Sequence, residues 1–271
     1  IWDYSRDDIP EAWRLIGEDP RDDVRAPQFA QLVRAFMPDV LDLQEYSLHM
    51  HQRFYPLIRR YGYRIAYEGE EPWNNTPIFY NPETVELVDV NYVLYAPSCW
   101  SNIGSKSYTS AVFRKKDTGR LFAVVNTHLW WKSEAAQPGS TYARAAQVRL
   151  MMAEAEVLKN KYGCTIFVTG DMNAYEDSLP IRQFIEGGYT PCYKAATDAT
   201  DNGNGHHICG PKDGYSRTSR RRSPDREKGA IDHCFIYNAQ EGVAVKVFDC
   251  ITARFTVKLT DHYPYLIDAA L

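Results

Sequence analysis

The sequence predicts an α/β protein built of mixed β-sheets covered by helices, and three observations carry that expectation. Apolar residues recur at helical spacing, β-branched or alternating stretches lie between those segments, and strands cluster towards the C-terminal end instead of alternating strictly with helices. The 271 residues, 44% apolar and 24% charged, provide for a sizeable core. With no internal repeat and no linker that would divide two cores, residues 1–271 read as one domain.

Residues 1–25 are polar and acidic and read as loop with at most one turn of helix. Phe29, Leu32, Val33 and Phe36 then fall at i, i+3, i+4 and i+7, the stripe of an amphipathic helix that Pro38 stops. Residues 40–45 read as a short buried strand ending in the carboxylate of Glu45. A helix over about 47–60 follows, then strands at 63–67, 76–80 and 85–90, the last two separated by the turn signal Asn81-Pro82. Residues 108–114 and 121–126 form neighbouring strands joined by a hairpin at Lys116-Asp117-Thr118-Gly119. Val148, Met151, Met152, Ala155 and Leu158 define a helix over 141–162 that ends at Gly163, and residues 164–169 are a buried strand running into Gly170-Asp171. A short helix near 179–186 precedes an irregular, Gly/Asn/His/Arg-rich stretch over 197–228, whose length suits a functional or mobile loop. Strands near 230–237, 243–249, 251–257 and 263–268 complete the chain.

Charge argues against binding nucleic acid through bulk charge and leaves a narrow basic patch open. Lys+Arg 31 against Asp+Glu 35 gives a net charge of −4, so the chain lacks the bulk basic excess that holds many proteins on nucleic acid. No apolar run approaches the roughly 20 residues needed to span a bilayer. The six cysteines, Cys99, Cys164, Cys192, Cys209, Cys234 and Cys250, show no CxxC spacing and read mostly as buried thiols, their even number leaving one or two bridges open. Ile1-Trp2-Asp3-Tyr4 carries no targeting segment, and localisation is not legible.

The functional signal lies where apolar strands end. Five short polar clusters sit there: Gln44-Glu45, Asn126-Thr127-His128, Gly170-Asp171-Met172-Asn173, Asp232-His233 and Asp261-His262. Any one of them suits a helix cap or a turn. Together they supply what attack of water on a phosphate ester requires: carboxylates for a hard divalent cation, amide and imidazole donors for phosphate oxygens, and an Asp–His pair that fixes one tautomer.

In this order, Leu43-Gln44-Glu45, Asn126-Thr127-His128-Leu129, Gly170-Asp171-Met172-Asn173-Ala174, Ile231-Asp232-His233 and Thr260-Asp261-His262-Tyr263-Pro264 resemble the motif set of the endonuclease/exonuclease/phosphatase superfamily, the deoxyribonuclease I-like fold. The resemblance covers the chain from about residue 26 onward. It implies a four-layered sandwich, two mixed β-sheets face to face with helices outside, and a phosphoester hydrolase dependent on Mg²⁺ or Mn²⁺. Carried over by position, Glu45 resembles the principal metal ligand and Asp261 a further ligand of the metal or of its water. Asp171 resembles the carboxylate that orients or deprotonates the attacking water, beside Asn173. His128 and His262 resemble the imidazoles at the phosphate, and Asp232 the carboxylate that fixes the His262 tautomer.

Two departures stand out. The family's first strand carries an Asn in a motif resembling Phe-Asn-Ile, and no such Asn precedes Ile1-Trp2; the expectation is that this strand lies upstream of the given chain. His233 stands where the family often has an aromatic residue, and reads as tolerated.

Other features are weaker. His206, His207 and Cys209 fit no standard zinc spacing, and His207 is expected at the border of the substrate cleft. Arg217, Arg220, Arg221, Arg222, Arg226 and Lys228 read as a solvated loop that favours anionic substrates only slightly. Trp130 and Trp131, directly after His128, are the aromatic pair expected to meet a ligand. The leading expectation is a phosphodiesterase or nuclease. A phosphatase or phosphodiesterase of a small molecule, sugar phosphate or lipid head group is the first alternative, favoured by the negative charge, and a non-catalytic binding protein of the same fold is the second.

Overall fold

The computed structural model describes residues 19, 21–69, 73–95, 106–199, 230–251, 256, 259, 260 and 262–271. The expectations for Asp261, His206, His207, Cys209, the arginine run and most of the 197–228 stretch therefore lie outside the described residues.

Helix α1 (Asp22–Phe36) starts earlier than the apolar stripe suggests and runs through Pro27. Asp22 and Asp23 occupy its first turn, where carboxylates complement the positive end of the helix dipole, so residues 22–25, which read as loop, begin a helix. It closes on Met37 in the left-handed conformation, one residue before Pro38. Strand β1 (Val40–Asp42) follows. Helix α2 (Leu48–Arg59) begins at Ser47, whose hydroxyl accepts the Met50 amide at 3.1 Å.

The remaining strands are β2 (Arg64–Ile65), β3 (Ile78–Tyr80), β4 (Val85–Leu94), β5 (Ser107–Lys115), β6 (Leu121–His128), β7 (Thr165–Asp171), β8 (Thr190–Pro191), β9 (Asp198–Ala199), β10 (Asp232–Tyr237), β11 (Ala244–Cys250) and β12 (Tyr265–Ala270). Helices α3 (Ser140–Tyr162), α4 (Leu179–Glu186) and the single turn α5 (Cys192–Ala195) lie between them. The strand expected over 251–257 is not formed at its described residues, Ile251 and Thr256. The two-residue strands β8 and β9 and the turn α5 are too short to leave a periodic signal.

Six strands form one mixed sheet in the order β4-β5-β6-β7-β10-β8, parallel only between β6 and β7. Two three-stranded sheets, β1-β3-β2 and β12-β11-β9, lie opposite it. Strand alternation divides the six-stranded sheet between two cores. Phe113, Phe122, Val124, Phe167, Cys234 and Ile236 pack towards Ile78, Tyr80, Val245 and Phe248 of the smaller sheets. Val112, Ala123, Val125, Ile166, Val168 and Phe235 pack beneath Val148, Met151, Ile181 and Phe184 of α3 and α4. Helices α1 and α2 cover β1 and β3 through Phe29, Val33, Phe54 and Phe79. The result is helices, sheet, sheets, helices, the four-layered arrangement expected.

β1 and β12 each form an edge of their sheet, and both line one cavity of about 600 Å³ that reaches Thr169, Asp232 and His262. Cys164, Cys192 and Cys234 are buried free thiols, and Cys250 is buried as well. Among the described residues no helix is long and apolar enough to cross a membrane.

Candidate functional site

Register builds the site. Across the six-stranded sheet His128 on β6 pairs with Asp171 on β7, which pairs with Asp232 on β10. One row lower, Asn126, Thr169 and Cys234 occupy the same three strands. Because side chains alternate, both rows share the face turned to the smaller sheets, and the upper row stands at the strand ends where loops leave. Adjacent strands lie about 4.8 Å apart, so three polar side chains meet without any long-range coincidence.

Gly170 makes the close approach of β6 and β7 possible. Its φ is +139°, and a Cβ there would sit 2.0 Å from the Thr127 carbonyl oxygen. Beyond it, the Asn173 amide donates to Asp171 Oδ1 at 2.9 Å in an Asx turn, with Asn173 itself in the left-handed region at φ 47°. That bond turns Oδ2 of Asp171 towards the imidazoles. Asp171 Oδ2 lies 3.5 Å from His128 Nε2 and 4.0 Å from His262 Nε2. His262 Nδ1 is 2.7 Å from Asp232 Oδ2, which fixes that ring's orientation. The structure thus brings His128, Asp171, Asn173, Asp232 and His262 together.

Glu45 joins them from the opposing layer. Its Oε1 is 4.0 Å from His128 Nε2, and its backbone is left-handed at φ 55°, a conformation unusual for a residue with a long side chain and held here by its neighbours. Gln44 Nε2 donates to Asn126 Oδ1 at 2.6 Å, while Asn126 Nδ2 donates to the Leu43 and Pro77 carbonyls at 2.8 and 3.1 Å. Asn126 therefore serves as a buried brace between the layers. Asp42, two residues before Gln44 on the same face, accepts from Thr169 Oγ1 at 2.6 Å. Its other oxygen, Oδ1, is buried without a hydrogen-bond partner among the described residues.

The electrostatics follow from this crowding. Burial, reinforced by the Asp232 charge, pushes the Asp171 carboxyl up to about 7, against the opposing pull of His262, Lys106 and the Asn173 amide. Burial alone raises Asp42 to about 7, with the Thr169 hydroxyl opposing it. His233 points to the other side of β10, stacks on Phe235 and bonds the Ala174 carbonyl at 2.7 Å, and burial holds its imidazole below the usual value. It is a packing residue.

The tryptophan pair divides. Trp130 is buried beneath α3: its backbone amide donates to Gln147 Oε1 at 2.9 Å, and its indole donates to Ser140 Oγ at 3.1 Å. Trp131 is 59% exposed, so of the two it alone presents a broad ring surface to a ligand. Lys106 was not legible in the sequence. It is buried just before β5, and its Nζ lies 2.6 Å from His128 Nε2 and 3.0 Å from Nδ1. A single lysine at the start of an alternating strand carries no motif; only the pairing of Ser107 with His128 sets it at the site.

Asp171, Asp232 and His262 each offer a ligand atom, all within 4.8 Å of one another, and Glu45 adds a further hard oxygen. Of these donors the hard carboxylate oxygen of Glu45 suits a divalent cation, which leaves the Asp171–His262 side of the cluster to water and phosphate.

The fold and this constellation define a class, and the sequence comparison agrees with it. The model of the endonuclease/exonuclease/phosphatase family matches residues 16–262, and the chain belongs to that family. Solved structures share the fold. A Bacteroides vulgatus endonuclease/exonuclease/phosphatase superposes with a TM-score of 0.68 at 21% identity, over 91% of this chain and 90% of its own. The Bacteroides thetaiotaomicron mannosyl-6-phosphatase gives 0.71 at 17% identity, over 97% and 96%. TDP2 of D. rerio, complexed with a single-stranded DNA product, gives 0.64 at 15% identity, over 91% and 92%. No curated protein sequence matches the chain.

Proposed function

We propose that the chain hydrolyses phosphate esters by in-line attack of water, assisted by Mg²⁺ or Mn²⁺. The observation that carries the reading is the single row of His128, Asp171 and Asp232, with His262 Nε2 returning to within 4.0 Å of Asp171 Oδ2. Asp171 orients the attacking water and takes its proton, a role that suits a carboxyl whose affinity for protons burial has raised. Asn173 holds water and phosphate beside it. His128 and His262 face the phosphate oxygens; Asp232 accepts the Nδ1 proton of His262 and so supports the imidazolium form, whose Nε2 proton is the one given to the phosphate.

Glu45 and Asp261 would hold the cation, which when bound supplies positive charge against the phosphate and the departing oxygen. Trp131 and His207 lie in the sequence on segments suited to border the substrate, and Trp131 is the exposed ring.

Two substrate classes remain to be separated. A phosphodiester, including nucleic acid, has the support of neighbours such as TDP2 with its DNA product. A small phosphate ester has the support of the mannosyl-6-phosphatase neighbour and of the net charge of −4. A panel of p-nitrophenyl phosphate, bis(p-nitrophenyl) phosphate, DNA and RNA, with Mg²⁺, Mn²⁺ or chelator, decides between them. Nuclease activity should fall steeply as salt rises, whereas a small-ester enzyme should leave nucleic acid intact. Absence of hydrolysis of every ester with either cation would leave the non-catalytic reading standing.

A further inference from the structure

Lys106 is a cation at the centre of the site to which the mechanism above gives no task. It is 4% exposed, and burying an ammonium is unfavourable unless anionic or acceptor groups meet it. His128 Nε2 lies 2.6 Å from its ammonium, and Asp171 and Glu45 lie 3.5 and 4.0 Å from that same imidazole nitrogen. The charge of Lys106 is felt at Asp171, which it helps to hold ionised. A phosphoryl group whose oxygens meet the Nε2 side of the His128 ring would therefore lie within reach of this ammonium.

We propose that Lys106 binds the non-bridging oxygens of the phosphoryl group and tunes the site to phosphate monoesters. The inference rests on the phosphate-ester reading and adds the substrate class. Its basis is Coulombic: at a fixed distance, one positive charge attracts a dianion twice as strongly as a monoanion. A monoester near neutral pH carries two negative charges and a diester one. Among acidic groups that repel both, a buried lysine favours the first.

The same arithmetic gives the test. Lys106→Met and Lys106→Arg are compared with wild type on p-nitrophenyl phosphate and bis(p-nitrophenyl) phosphate with Mg²⁺, and binding of inorganic phosphate is titrated calorimetrically. Charge-assisted hydrogen bonds make a loss in kcat/KM of about tenfold on the diester reasonable, and the monoester loss should then approach its square, about a hundredfold. Lys106→Arg should restore most of the monoester rate, and phosphate affinity should fall at least about tenfold in Lys106→Met. Equal losses on both esters, as expected of a residue that merely positions His128, overturn the proposal, as does no loss on either. If the wild-type chain hydrolyses DNA or RNA but not the monoester, the tuning to monoesters is overturned; if it hydrolyses no member of the panel, the phosphate-ester reading fails by itself. The phosphate titration then decides on Lys106: weaker binding in Lys106→Met supports the contact, and unchanged binding overturns it.

Discussion

Replacing Asp42 by Asn should make the protein more stable, and increasingly so as pH rises. Asp42 is half-buried, holds Thr169 through one oxygen, keeps the other buried without a partner among the described residues, and has its carboxyl pushed up to about 7 by burial. A folded-state value above the unfolded one means that the folded protein prefers the protonated acid. Stability from this group is therefore complete below the unfolded value of 3.8 and is lost progressively as pH rises through about 7. A rise from 3.8 to about 7 corresponds to an upper bound of roughly 4 kcal/mol, which the partial exposure of Asp42 at the cavity wall reduces to about 2 kcal/mol. Asn keeps the acceptor for Thr169 and carries no charge. About a third of the effect is already present at pH 5, so the stability gained by Asp42→Asn should grow by about 1–2 kcal/mol between pH 5 and pH 8. In thermal melts with chelator present this is a growth of about 2–8 °C in the difference of Tm, at about 2–4 °C per kcal/mol for a chain of this size. Comparing variant with wild type at each pH cancels the similar contribution of Asp171. A gain that is the same at both pH values, or a variant less stable than wild type at pH 8, would refute the reasoning.

Other outcomes follow from the same geometry. Gly170→Ala should lower stability by about 3 kcal/mol or more, because its Cβ meets the Thr127 carbonyl, whereas Gly119→Ala, also at positive φ but with open space around it, should cost only about 1 kcal/mol; denaturant midpoints separate the two. Asp171→Ala and His262→Ala should each lower kcat by roughly two orders of magnitude or more on whichever ester the wild type hydrolyses. Glu45→Gln should raise the Mg²⁺ concentration needed for half-maximal rate by roughly tenfold or more, read from a metal titration of activity. Asp232→Asn should slow turnover while leaving the fold intact by circular dichroism, since it frees the His262 ring without opening the core.

Much of this architecture was legible because it rests on periodicity. The stripe from Phe29 to Phe36, the helix up to Gly163 and the hairpin at 116–119 all have local causes, and they stand where the spacing puts them. The polar clusters were legible for a related reason: an apolar strand that ends in Asp, Asn or His sets that side chain at the strand's end, and register then brings several ends into one row. What was hidden depends on the other layer. Nothing local distinguishes Trp130 from Trp131; α3 decides which one is buried. The left-handed backbone of Glu45 is imposed by the junction of β1 with α2. Lys106 gains meaning only from the β5–β6 pairing, and Asp42 only from Thr169 on a strand more than a hundred residues away in sequence.

The most direct measurement is a crystal structure of the protein with Mn²⁺ and inorganic phosphate, the cation located by its anomalous scattering. The account predicts the metal peak on Glu45, with the phosphorus close to His128, Asp171 and His262 at once. A cation held elsewhere, or phosphate bound out of reach of Asp171, would contradict it.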